Sequence, residues 1–227
     1  MLTEELLKIA NIGAEWVLWV LLVLSLASIA VIGERIAFYL QHRARVDEMR
    51  RQLLKFLDRN EVTKARKHFR QDATMEAQVL AAGLDGASHG PESVGELMNG
   101  TLATERVRYE RGLSFLATVG SNTPYIGLFG TVLGIINAFA ALNVAAGATV
   151  DTKIMGAISE ALVATGVGLL VAIPAVVAFN SFKTSVKKSV ASTDKLARTL
   201  LAYLSADASR GLTDAGAEPE DKATDEA

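Results

Sequence analysis

An all-α integral membrane protein with three crossing helices is the fold class this sequence predicts, and three observations predict it. Half of the 227 residues are apolar. These are gathered into three long runs almost free of charge, each close to or above the length a membrane helix needs. Lysine and arginine are concentrated between the first run and the second, as expected of a segment left on the cytoplasmic side.

The first run, Trp16 to Gly33, has 18 uncharged residues, close to the roughly 20 that span a hydrocarbon core of about 30 Å. A first transmembrane helix is predicted over 16–40. Trp16 and Trp19 mark one interface, and Arg35, Arg43 and Arg45 follow at the other end. The preceding segment, 1–15, carries Glu4, Glu5 and Glu15 against Lys8. It lacks the basic start of a cleavable signal peptide, so the span is expected to be retained and the N-terminus to be periplasmic.

A second uncharged run covers 39 residues, Gly112 to Val150. That is too long for one perpendicular crossing and carries too few turn residues for two, so one long helix projecting beyond the membrane is predicted over 112–150. A short periplasmic loop, 151–153, follows with Asp151 and Lys153. The third helix is predicted over 154–182, with Glu160 inside it and Lys183, Lys187 and Lys188 behind it. Thirteen lysines and arginines lie between 41 and 111, against one in the outer loop, so the charge bias agrees at every crossing.

The cytoplasmic part is predicted to be helical over 41–111, with Met49, Leu53, Leu54 and Leu57 at spacings of three and four. Asn60 is expected to cap a short helix beginning at Glu61. The Gly/Pro-rich GASHGPES precedes a helix from about Pro91 that is expected to run on into the second span. A further cytoplasmic helix covers 183–206. The tail, 207–227, has seven acidic residues against Arg210 and Lys222, and is expected to be disordered.

Composition excludes several classes of function. There is no cysteine, hence no disulfide or thiolate site. His42, His68 and His89 read as solvated, without metal-ligand spacing. No phosphate loop or nucleophile elbow is present, and a net charge of -2 points to no nucleic acid. No catalytic residue, metal or cofactor is assigned.

The chemistry lies within the spans. A glutamate at the centre of a membrane helix costs about 2.5–3.5 kcal/mol, so Glu160 requires a physical reason. At about 1.5 Å per residue from Asp151, it lies about 13 Å inside the membrane. On a helical projection Ala157, Ala161, Ala164, Gly168, Ala172 and Ala175 form a small-residue stripe between Glu160 and Thr165, while Leu162, Val163, Leu169, Leu170 and Ile173 occupy the other face. The second span repeats the pattern with Gly127, Gly130, Gly134, Ala138 and Ala141, interleaved with Thr131 and Asn137. Such stripes serve close helix packing. Either threonine alone is satisfied by a carbonyl one turn back, whereas a carboxylate with two hydroxyls on paired helices suggests a proton-linked or ion-linked group. Pro124 and Pro174 are possible kinks.

The segments TPYIGLFGTVLGIINAF (123–139) and GAISEALVATGVGLLVAIPAVVAFNSF (156–182) resemble the signature of the MotA/TolQ/ExbB proton channel family. Three spans make the ExbB and TolQ branch the nearer likeness, since MotA-type stators have four. The resemblance implies a homopentamer in the bacterial inner membrane with Thr131, Glu160 and Thr165 lining its interior. It implies an ExbD-like or TolR-like single-span partner inside the ring, whose membrane aspartate is the main protonation site, and a TonB-like or TolA-like protein that carries force outward. The function implied first is that of an ExbB-like subunit of a proton-motive-force-driven motor energising outer-membrane uptake of iron-siderophores or vitamin B12. A TolQ-like role in envelope integrity, a gliding-motility motor and a passive membrane scaffold are the alternatives.

Overall fold

The computed structural model describes residues 15–144 and 149–215, and among them every regular element is helical. The order is α1 (Glu15–Gln41), α2 (Val46–Asp58), α3 (Val62–Arg70), α4 (Met75–Asp85), a one-turn 3-10 helix (Ala87–His89), α5 (Pro91–Glu110), α6 (Leu113–Val144) and α7 (Thr149–Ala215). Three of these, α1, α6 and α7, are long and apolar enough to cross a membrane. The fold is an all-α membrane protein. The N-terminal segment expected to be periplasmic lies, but for Glu15, outside the described residues. So does the tail beyond 215, whereas α7 continues through 207–215.

The chain divides into two units. One comprises described residues 15–40 and 110–185, and the other 41–109 and 186–215.

In the first unit, α1 is apolar nearly all round, and Trp19, Leu22, Val23, Leu26 and Ile29 stand exposed as a lipid-facing surface would. Its buried positions, Val17, Leu21, Ser28 and Arg35, fall at helical spacing on a single face. Val17 and Leu21 pack with Leu133 of α6. Trp16 meets Phe129 edge-on at 6.1 Å, and Tyr39 stacks on Phe182 of α7 at 5.3 Å. Arg35 is paired with Glu34 and lies over the Phe38 ring at 4.6 Å, so a charge at this depth is compensated locally. The 32 residues of α6 correspond to about 48 Å, well beyond a hydrocarbon core of about 30 Å.

In the second unit, α2 and α3 are amphipathic and α4 is buried nearly throughout. Met49, Leu53, Leu57, Phe69, Leu80 and Leu84 form one core with Val94 and Met98 of α5 and with Leu196 and Leu200 of α7. The Tyr203 hydroxyl donates to the Leu57 carbonyl at 2.9 Å, closing the exposed end of α2.

Four local expectations are corrected. The loop expected at 151–153 is helical, because α7 already begins at Thr149. Asn60 is not a helix cap: it takes a left-handed φ of +53°, a region asparagine tolerates, and the next helix begins at Val62 after Glu61 without a side-chain cap. The helix from Pro91 does not run into the second span. Gly112, at φ +76°, stops it after Glu110, because this left-handed conformation ends a helix and suits a residue without a Cβ. His42 is half-buried with its ring edge against Tyr109 at 6.1 Å, rather than solvated.

The first unit depends on close approach of α6 and α7. A methyl group added at Gly127 would lie 2.7 Å from the Ala164 carbonyl oxygen and 3.1 Å from Thr165 Cα, both backbone atoms that cannot turn aside. At Gly166, by contrast, nothing lies within 4 Å. Gly127→Ala is therefore expected to destabilise the detergent-solubilised chain by about 1–3 kcal/mol through overpacking, and Gly166→Ala to change it by less than about 0.5 kcal/mol. Thermal unfolding of the two variants side by side checks this.

Candidate functional site

The glycine contacts define how α6 and α7 pair. A Cβ at Gly120 would meet Val176, one at Gly127 would meet Ala164 and Thr165, one at Gly130 would meet Ala164, and one at Gly134 would meet Ala157 and Ala161. As numbers rise along α6 they fall along α7, so the helices are antiparallel. Gly168 answers from the other side: its added methyl would sit 2.7 Å from the Thr123 carbonyl oxygen. Small residues therefore face small residues along this seam, which membrane helices need because apolar side chains gain little by leaving lipid for protein. Larger residues on the far faces, among them Leu128, Val132, Leu162, Leu170 and Ile173, are exposed. Pro124 and Pro174 are both accommodated inside continuous helices.

The two threonines behave differently. Thr131, half-buried, donates to the Leu128 carbonyl at 2.6 Å, a bond within its own helix. Thr165 donates across the seam to the Gly127 carbonyl at 3.3 Å. That bond needs the glycine, because only a bare Cα lets the two backbones come so near. Thr123, fully buried, is a third hydroxyl of the seam and donates to the Val119 carbonyl at 2.8 Å.

Glu160 is half-buried and directly precedes Ala161, which packs on Gly134. Its Oε1 is buried and has no hydrogen-bond partner. Leaving a buried acceptor unmet costs about 1–3 kcal/mol, and more for a charged group. The seam thus carries a carboxylate oxygen that the chain does not satisfy, next to a helix pair in which Thr123 and Thr131 bond within α6 and Thr165 bonds across to α6. Such an oxygen can accept a hydrogen bond from a water or from a donor on a second molecule. No group of histidine, cysteine and carboxylate residues able to hold a metal occurs among the described residues.

A profile of the MotA/TolQ/ExbB proton channel family matches residues 71–195, more than half of the chain and the whole of the α6–α7 seam. The chain belongs to this family. Relatives include the Tol-Pal system protein TolQ of Pseudomonas aeruginosa, 50% identical over 91 residues, which are 40% of this chain and 39% of that protein. The biopolymer transport protein ExbB of Xanthomonas campestris pv. campestris is 38% identical over 109 residues, 48% of this chain and 43% of that protein. A putative biopolymer transport protein, ExbB-like 2, of Helicobacter pylori is 58% identical over 69 residues, 30% of this chain and 45% of that protein. The matches span less than half the length of these relatives.

Two buried polar residues outside the spans, Glu76 and Tyr109, were not singled out by sequence reasoning. Glu76, in the first turn of α4, is 2% exposed, and its Oε2 has no hydrogen-bond partner. Burial pushes this carboxyl up to about 7, with Asp72 adding to the rise, against the lowering pull of its own backbone N–H and of the Ser189 hydroxyl. Tyr109 is pushed up to about 12, again chiefly by burial. The signal available was a glutamate within the apolar MEAQVLAAGL, where helical spacing alone would bury it.

A variant separates a functional Glu160 from a structural one. Because the chain does not satisfy Oε1, Glu160→Leu is expected to leave folding stability unchanged or to raise it by about 1–3 kcal/mol. Equilibrium unfolding of the purified protein reads this, and a loss of similar size would make Glu160 a packing residue.

Proposed function

We propose that the chain is the non-catalytic ring subunit of a proton-motive-force-driven energiser in the bacterial inner membrane. The observation that carries this reading is Glu160: a carboxylate within a membrane helix whose Oε1 is buried and unmet, on a glycine-lined helix pair. In this reading Glu160 and the hydroxyls of Thr131 and Thr165 lie toward the interior of a homopentamer, beside the proton route. An ExbD-like or TolR-like single-span partner occupies that interior. Its carboxylate takes up and releases the proton, and its rotation is transmitted by a TonB-like or TolA-like protein. The N-terminus is periplasmic and the helical unit of 41–109 cytoplasmic, as the charge bias favours. One proton moved through about 100 mV supplies about 2.3 kcal/mol, enough to bias a rotation step.

Within this function two assignments stand. The first is an ExbB-like subunit energising TonB-type uptake. The second is TolQ-like; the 50% identity to the Pseudomonas TolQ over 91 residues supports it, as the 58% to the Helicobacter ExbB-like 2 over 69 residues supports the first.

The test is complementation. Expressed with its genomic single-span partner, the chain is expected to restore siderophore uptake to a strain lacking its ExbB, or envelope integrity to one lacking its TolQ. Whichever is restored should collapse on adding a protonophore and in Glu160→Ala. Activity indifferent to the protonophore would identify a passive scaffold instead.

A further inference from the structure

The start of α4 is tied to two other helices of its unit. The Met75 amide donates to the Tyr109 hydroxyl at 3.0 Å, and Arg108 donates to the Ala73 carbonyl at 2.8 Å, both from the last turn of α5. Thr74, 5% exposed, occupies the cap position, yet its Oγ1 is buried with no partner, so α4 begins without a side-chain cap. The Thr74 amide is instead taken by Asp72 Oδ1 at 2.9 Å. Into this junction projects Glu76, with the Ser189 hydroxyl of α7 within bonding reach.

The charges around Glu76 do not neutralise it. Asp72, the charged side chain that acts on it directly, carries the same sign. Arg108 is committed to Glu105 at 3.1 Å and to the Ala73 carbonyl, while Glu76 and Glu105 both act on Tyr109. From α7 the neighbour is the neutral Ser189, and Lys187 and Lys188 are exposed. A carboxylate oxygen that is buried, unbonded and not neutralised is better accommodated carrying a proton.

We propose that Glu76 is a protonatable site of this chain, a latch whose neutral form holds the first turn of α4 against Tyr109 of α5 and Ser189 of α7 and whose ionised form releases it.

The direction follows from linkage. The folded-state value, about 7, lies above the ordinary 4.5. The folded chain therefore holds its proton longer than the unfolded chain does, and the stabilisation is complete at acid pH and lost as pH rises through about 7. The latch is closed in acid and open in alkali. It requires neither a partner nor a membrane potential, so it stands or falls separately from the energiser reading.

Amide hydrogen exchange on the full chain in nanodiscs tests this between about pH 5.5 and about pH 8.5. After correction for intrinsic exchange, protection of amides 75–80 is expected to fall about tenfold or more across neutrality, while that of 46–58 stays level. In Glu76→Gln, which mimics the neutral carboxyl, protection of 75–80 should stay high at every pH. His42→Gln, which replaces the imidazole lying against Tyr109, should keep the wild-type decline. The proposal is overturned by a flat wild-type profile, by an undiminished decline in Glu76→Gln, or by a decline that His42→Gln removes. A Glu76→Gln chain that fails to fold also overturns it, since the neutral form is the one held to be native.

Discussion

The seam between α6 and α7 is the constraint on which the membrane unit rests. In water the two helices would be driven together by their apolar faces, but in lipid that drive is absent and contact must come from fit. Gly127, Gly130 and Gly134 bring the backbone of α6 against Ala157, Ala161, Ala164 and Gly168 of α7. The consequences reach the chemistry directly. A hydroxyl on one helix bonds a carbonyl on the other, Thr165 to Gly127, and Glu160 is carried beside Ala161, which packs on Gly134. Any side chain larger than hydrogen at Gly127 would press on the backbone of Ala164 and Thr165.

The same seam explains the distribution of bulk. Large apolar residues are displaced to the outer faces, where Leu162, Leu170, Ile173, Phe139 and Val132 stand exposed. α1 contributes Val17, which a methyl at Gly130 would approach to 3.2 Å, and turns most of its surface outward. The second unit is built on the opposite principle. Its core is ordinary water-driven burial of leucine, methionine and phenylalanine, gathered from α2 to α5 and from the later turns of α7. A single helix thus supplies a small-residue face to one unit and Leu196 and Leu200 to the other.

Much of this was legible in the sequence because bilayer thickness and helix period are strong constraints. The three crossings follow from the length of uncharged runs, and the packing stripes from glycine and alanine at spacings of three and four. What was not legible depended on single backbone conformations and on tertiary burial. Asn60 has the composition of a cap but takes a left-handed turn conformation, and Gly112 breaks what reads as one helix, because a glycine beside a long apolar run does not announce its φ. Thr123 escaped notice because its hydroxyl is satisfied locally while its carbonyl backs on Gly168. Glu76 escaped because a single glutamate is ordinarily solvated, and its burial follows from apolar residues lying nearly all round α4.

The central claim is that the unmet carboxylate of Glu160 serves proton movement rather than helix packing. Proton flux into liposomes holding the chain with its single-span partner, under an imposed potential, measures this most directly. The account predicts clear flux for the wild type and flux reduced to the background of empty liposomes for Glu160→Gln, with the variant still folded and still bound to its partner. Undiminished flux through a folded Glu160→Gln complex would contradict it.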